Sequence, residues 1–161
     1  MKTYIKNLFL LPALVAGLGL IPAGRVTAQT FTNLHSFNYS DEGNPQAGLI
    51  LSGTTLYGTT TGGSWDQGTV FAVSTDGTGF TNLYSFTAYS IFLSANSDGA
   101  NPQAGLILSG NTLYGTAYDG GSSGNGTVFA VNTNGTGFTS LYSFTTLNNS
   151  TNSDGPIRLA D

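Results

Sequence analysis

Few side chains in this 161-residue sequence can do acid–base, nucleophilic or metal chemistry near neutral pH: there are eight carboxylates, one histidine and no cysteine. Thiol catalysis and a histidine-rich zinc site are therefore excluded within one chain. Serine is plentiful, but none sits in a Gly-x-Ser-x-Gly elbow, which also needs a strand-turn-helix setting. The carboxylates with most to offer are Asp66 and Asp119. They occupy similar loops of two repeated units, each directly after an aromatic residue, Trp65 and Tyr118. Two carboxylates held ~5–9 Å apart can hydrolyse a glycosidic bond, and an aromatic face beside them can stack a sugar ring. These four residues are the candidate ligand contacts, and no residue is assigned a catalytic role.

A second acidic set recurs at one point of the unit, Asp41, Asp98 and Asp154, just ahead of a glycine. Calcium takes several oxygen ligands, but Asp41-Glu42-Gly43-Asn44 and Asp98-Gly99-Ala100-Asn101 lack the dense alternating carboxylates of a calcium loop. The expected role is an Asx-type turn, and no metal or cofactor is expected. His35 aligns with Tyr84 and Tyr142, so it fills an aromatic slot. Asp76 is replaced by Asn134 in the second copy, which marks it as a turn residue, because only one of the two is a charged ligand.

The elements that must hold these residues repeat. Asn44 to Gly53 returns residue for residue as Asn101 to Gly110, and Phe31-Thr32-Asn33-Leu34-His35-Ser36-Phe37 has counterparts starting at Phe80 and Phe138, spaced by 49 and 58 residues. A period in that range signals a propeller or solenoid. Each unit offers four strands, a to d: Gly48–Leu51, Thr55–Thr60, Gly68–Ser74 and Phe80–Phe86, then 105–108, 112–117, 126–132 and 138–144. Asp76-Gly77 and Asn134-Gly135 are turn dipeptides that accept positive φ. Gly58 and Gly115 fit a close approach inside strand b. Strand c, with Val70, Phe71, Ala72 and Val73, is apolar on both alternating faces, and Leu49-Ile50-Leu51 reads the same way. A strand with one wet face alternates with polar residues, so both strands are expected to be covered on both sides. The fold class that follows is all-β, with repeated four-stranded antiparallel blades of a partial β-propeller. A β-solenoid and a β-sandwich are the competitors.

In such a blade the b–c loop and the d-to-a loop share one face. All the long, differing loops fall there, and such loops are where binding usually resides. The insertion Thr87 to Leu93, with Tyr89, Ile91 and Phe92, accounts for the longer spacing and is expected to pack on a blade edge or form an interface.

Lys2 and Lys6, the uncharged run Leu8 to Pro22 and the small-residue pattern Val26-Thr27-Ala28 read as a signal peptide over 1–28, cleaved before Gln29. The apolar run is shorter than the ~20 residues of a spanning helix. A secreted, periplasmic or cell-surface protein without membrane insertion is expected. Residues 29–161 then carry Arg158 as the sole basic side chain against eight acids, a formal charge of −7. A nucleic-acid groove needs Lys and Arg, so nucleic acid is excluded as a partner. The expected organisation of 29–161 is a lone strand d at 31–37, blades at 47–86 and 104–144, and the start of an incomplete unit at 145–161.

Leu56-Tyr57-Gly58-Thr59, Gly62-Gly63, Gly68-Thr69-Val70-Phe71, Asp76-Gly77 and Leu83-Tyr84-Ser85-Phe86 recur as Leu113 to Thr116, Gly120-Gly121, Gly126 to Phe129, Asn134-Gly135 and Leu141 to Phe144. This pattern resembles the GloVer tandem repeat, named for Gloeobacter and Verrucomicrobia, of secreted bacterial proteins. The resemblance spans residues 31–155 and implies extracytoplasmic, kelch-like propeller blades. It carries no catalytic residues over. The repeat signature is nearly silent on function, and the expectation is a non-catalytic surface, structural or ligand-binding protein with a glycan or surface polymer as partner. The alternative is a carbohydrate-active enzyme, a glycoside hydrolase or lyase, using acids of the long-loop face. About two units are present where closed propellers typically need four to eight blades. The chain is accordingly expected to be either a fragment or a homo-oligomer that completes a ring.

Overall fold

A computed structural model describes residues 30–38, 41, 43–62, 67–88, 96–146, 151–152 and 155–156. The chain divides into two units, Met1–Phe31 and Thr32–Asp161. The segment read as a leader and residues 89–93 of the insertion lie outside the described residues.

The second unit is all β. Strands β1 (Ile50–Ser52), β2 (Thr55–Thr60), β3 (Thr69–Ser74) and β4 (Thr81–Ser85) form one sheet in sequential order. Strands β5 (Ile107–Ser109), β6 (Thr112–Ala117), β7 (Thr127–Asn132) and β8 (Thr139–Ser143) form a second with the same order. Every neighbouring pair is antiparallel, and the register repeats to the residue, with Gly58 opposite Phe71 and Gly115 opposite Phe129. A bulge recurs between Val70 and Phe71 and between Val128 and Phe129. A short hairpin, β9 (Thr151–Asn152) with β10 (Gly155–Pro156), follows. These are two blades of the kind a β-propeller repeats, with no closure of a ring or barrel among the described residues.

Composition explains the blades. Threonine, valine and aromatics suit a pleated surface, and glycines supply the positive φ of the tight turns. Gly77 and Gly135 have φ of 84° and 82° and close equivalent turns, in which Ser74 N–H bonds to Thr78 O and Asn132 N–H to Thr136 O, each at 2.9 Å. Asp76 accepts from Thr78 N–H at 2.9 Å and Thr78 Oγ1 at 2.7 Å, and Asn134 does the same with Thr136 at 3.1 and 2.7 Å. The Asp/Asn exchange thus leaves the turn unchanged.

The core lies between the sheets. Val70, Ala72 and Tyr57 of the first blade pack against Leu106, Leu113, Phe129 and Val131 of the second. The other side chains of β3, Phe71 and Val73, point the opposite way and are also buried. Strand c is therefore covered on both faces in the first blade. Gly58 and Gly115 leave room for this aromatic layer: a Cβ on Gly115 would stand 2.5 Å from Phe129 Cζ, and one on Gly58 2.6 Å from Phe71 Cζ.

Two expectations need correction. Strand a is not covered on both faces, because Leu49 is 53% exposed and Leu51 58%. Its counterpart Leu106, which faces the first blade, is only 8% exposed. Coverage of this strand depends on a neighbouring blade. The segment 31–37, expected as a strand, has no ladder partner among the described residues and takes no strand conformation. It is held by side chains instead. His35 stacks on Phe80 at 3.7 Å between ring centroids, and Phe37 meets Phe71 edge-on at 5.1 Å.

Candidate functional site

Where they are described, the loops expected to share a face lie together, and hydrogen bonds lace them to one another. Ala100 bridges Asp119 in an antiparallel pair, and Pro45 bridges Thr60. Asn101 N–H reaches Gln67 O in the first blade at 2.8 Å, tying one blade's loop to the next. Asn44 and Asn101 take φ of 61° and 55°, a region asparagine tolerates better than most residues. The Asn44 amide donates to Gly62 O at 2.7 Å, and the Asn101 amide to the Asp119 carboxylate at 3.0 Å. The asparagine that opens the repeated Asn-Pro-Gln-Ala-Gly segment thus fastens its loop in both copies.

The predicted contacts divide. Trp65 and Asp66 lie outside the described residues. Tyr118 is 68% exposed, and Asp119 beside it is half-buried and held by Asn101. His35 is an aromatic-slot residue whose Nε2 lies 3.0 Å from Asp41 Oδ2.

Asp98 does more than cap a turn. It is 4% exposed, and its carboxylate accepts from Tyr84 O–H at 2.7 Å, Thr87 N–H at 2.8 Å and Thr87 Oγ1 at 2.7 Å. It fastens the aromatic of β4 from across the insertion. Asp41 holds His35, the aligned residue, in the same manner. The turn at Gly99 is capped by Asn96, whose Oδ1 accepts from Gly99 N–H at 2.9 Å and Gly121 N–H at 3.0 Å. Burial, followed by the hydrogen bond to Asp98 and its charge, pushes the Tyr84 hydroxyl well above the ordinary tyrosine range. Hydrogen bonds from the Thr78 backbone and side chain hold Asp76 below the usual carboxylate range. Among the described residues no group of three His, Cys, Asp or Glu side chains stands together as a metal site.

A polar concavity lies elsewhere, among the short turns on the opposite face. A cleft of about 440 Å³ opens between the blades. Thr55, Ser74, Thr81 and Asn82 line it from the first blade, Thr133 and Asn134 from the second, and Tyr57 forms part of its wall. No charged side chain lines it. Hydroxyls and amides with one aromatic ring suit an uncharged, hydrogen-bonding ligand. Sequence reasoning missed this cleft because it placed binding where the copies differ, whereas the cleft is built from turns that the copies share. The doubled Thr-Gly pairs after each turn were the available signal. Asn96 sits just beyond the insertion, where the copies diverge, and offered no repeat signal.

A family model described as the Gloeobacter/Verrucomicrobia repeat matches residues 16–161. No curated protein and no solved structure gives a significant match.

Proposed function

The chain belongs to the Gloeobacter/Verrucomicrobia repeat family, and from that premise we propose that it is a non-catalytic extracytoplasmic repeat protein that binds an uncharged, polyhydroxylated polymer such as a glycan. One observation carries the non-catalytic reading. Each described carboxylate is engaged with its own chain: Asp41 with His35, Asp76 with Thr78, Asp98 with Tyr84 and Thr87, and Asp119 with Asn101. A carboxylate that accepts three hydrogen bonds, as Asp98 does, is a fixed acceptor, poorly placed to pass a proton to a substrate. The uncharged lining of the inter-blade cleft supports the choice of ligand class.

Isothermal titration of the full chain against a panel of neutral polysaccharides tests the reading. At least one polymer should bind. Asn82→Ala should weaken that binding about fivefold, the worth of one hydrogen bond near 1 kcal/mol. Binding untouched by Asn82→Ala moves the site away from the cleft, and release of soluble sugar restores the carbohydrate-active alternative through the long-loop acids. The extracytoplasmic reading rests on the Lys2-to-Ala28 pattern. Exported protein should begin at Gln29, and a mature form that retains Lys2 overturns it.

A further inference from the structure

One residue of the polar cleft has a built-in comparison elsewhere in the chain. Asn134 lines the cleft from the turn of blade two. Asp76 holds the same place in the turn of blade one, away from the cleft. The cleft has no charged side chain in its lining, so position 134 is where the repeat's own Asp/Asn exchange would change its charge.

The two turns match bond for bond. Asn134 Oδ1 accepts from Thr136 N–H and Oγ1 at 3.1 and 2.7 Å, and Asp76 Oδ1 accepts from Thr78 N–H and Oγ1 at 2.9 and 2.7 Å. Gly135 N–H bonds to Asn132 O at 2.8 Å and Gly77 N–H to Ser74 O at 2.9 Å. The neighbouring backbone is equivalent too. A Cβ on Gly135 would stand 2.9 Å from Leu83 O, and one on Gly77 2.8 Å from Leu34 O. The chain thus already holds an aspartate in this setting. Thr136 N–H can only donate, so the Asn134 atom that faces it is the oxygen. What Asn134 has left for a ligand is its Nδ2 amide, an uncharged donor. An aspartate in the same turn has its second carboxylate oxygen left, a charged acceptor. Hydrogen bonds from the Thr78 backbone and side chain hold the Asp76 carboxyl below the usual carboxylate range, so an aspartate in this turn is ionised even at mildly acidic pH.

We infer that Asn134 is the specificity-determining residue of the cleft: it keeps the site for neutral sugars, and its exchange for aspartate alone turns the cleft into a site for a cationic amino sugar. The inference deepens the reading of the cleft as a polyol site and rests on it. An ammonium that enters the neutral cleft gives up water and meets only uncharged groups, which is unfavourable. An acetamido or ether oxygen can instead accept from the Nδ2 amide. With a carboxylate at the position the preference reverses, because a charge-assisted hydrogen bond is roughly twice as strong as a neutral one. Specificity is a difference of affinities, and here a single side chain sets its sign while the scaffold stays as it is.

The test titrates the full chain with two sugars of one backbone at mildly acidic pH: a glucosamine hexamer, which is cationic, and an N-acetylglucosamine hexamer, which is neutral. Asn134→Asp should bind the glucosamine hexamer about fivefold or more tighter than the parent does, the margin of a charge-assisted hydrogen bond over a neutral one. The gain should vanish in about 1 M salt, where the Debye length is ~3 Å, and binding of the neutral hexamer should not rise. The melting temperature should stay at the parent's, because the turn accepts either residue. Leu141→Asp adds the same charge at an exposed position outside the cleft, and should leave affinity for the glucosamine hexamer within about twofold. No gain for N134D, or an equal gain for L141D, overturns the assignment of Asn134. A lowered melting temperature for N134D overturns the equivalence of the two turns. Failure of every neutral polymer to bind the parent counts against the proposed function alone, since the contrast between N134D and L141D still reads the charge set at position 134.

Discussion

Gly115→Ala should destabilise the protein more than Gly58→Ala, although the two positions are equivalent. Neither glycine has a positive φ, so alanine meets no backbone strain at either site and the outcome is decided by space. At Gly115 the new Cβ would stand 2.5 Å from Phe129 Cζ and 2.9 Å from Leu106 Cδ2. Both distances lie well inside the 3.4 Å at which ordinary contact begins. Phe129 is fully buried, with Phe86 at 5.2 Å and Phe138 at 5.7 Å, and Leu106 is 8% exposed. Neither can yield without moving the inter-blade core. Overpacking of this kind costs about 1–3 kcal/mol, partly offset by the roughly 0.5–1 kcal/mol by which alanine outdoes glycine in a strand. The net loss should be about 1–2 kcal/mol. At Gly58 the neighbours are Phe71 Cζ at 2.6 Å and Leu49 Cδ2 at 2.6 Å. Leu49 is half exposed and can swing aside, so only Phe71, itself 2% exposed, has to shift. The two terms then nearly cancel, for a net change within about 1 kcal/mol. Urea unfolding of both variants reads the difference as a shift in midpoint at constant slope. Phe129→Leu in the Gly115→Ala background should recover part of the loss. Equal midpoints for the two variants, or a lower one for Gly58→Ala, would refute the argument that a neighbouring blade is what makes this position unforgiving.

The same asymmetry predicts that Leu106→Ala lowers stability by about 2–5 kcal/mol, as for a buried leucine, while Leu49→Ala changes it by less than about 1 kcal/mol; thermal melts of the pair check this. Asp98→Asn replaces one of the two acceptor oxygens of this network by an amide donor and removes the charge, and should cost about 1–3 kcal/mol and lower the pH at which Tyr84 titrates in an ultraviolet pH titration, although burial, the largest cause of its shift, remains. The folded pKa of Tyr84 is raised above its unfolded value near 10. Its contribution to stability is therefore complete below pH ~10 and lost as pH rises through the folded value, and alkaline unfolding of the parent should be steeper than that of the variant. Thr78→Ala removes the side-chain hydrogen bond that helps to depress Asp76, so the Asp76 carboxyl should titrate at higher pH by NMR. With its folded pKa depressed, Asp76 favours folding above its unfolded pKa of 3.8 and loses that effect as pH falls further. An unchanged Asp76 titration would mean that Thr78 does not hold it.

How far the fold could be read beforehand depends on how local its causes are. Strand β2 is Thr55–Thr60 as expected, because a two-residue turn precedes it and a glycine pair follows. Strands β3 and β7 begin one residue later than expected, at Thr69 and Thr127, since Gly68 and Gly126 take φ of 93° and 91°, outside the β region. The apolar run suggests strand a over Gly48–Leu51, but the ladder runs Ile50–Ser52. Its register is set by the turn, which puts Ser52 opposite Thr55, and hydrophobic pattern alone cannot see that. The long-loop and short-turn faces follow from strand order and were legible. The Asp98 network was not, because Thr87 and Asn96 flank the insertion that breaks the repeat.

The inter-blade contact carries a lesson that neither blade shows by itself. Tyr57 is 8% exposed and its counterpart Tyr114 is 37% exposed, although the register around them is identical. Residue type and local conformation are held constant, so the difference belongs to the neighbour. Fully burying a large apolar side chain is worth roughly 1.5–3 kcal/mol, and several such residues change state together when a blade gains a partner. Hydrogen bonding within each sheet does not depend on that partner. Sequence identity between repeats therefore specifies which strands form, while position in the array decides how much each strand contributes. Leu49, 53% exposed, and Leu106, 8% exposed, are the same sequence position in these two conditions.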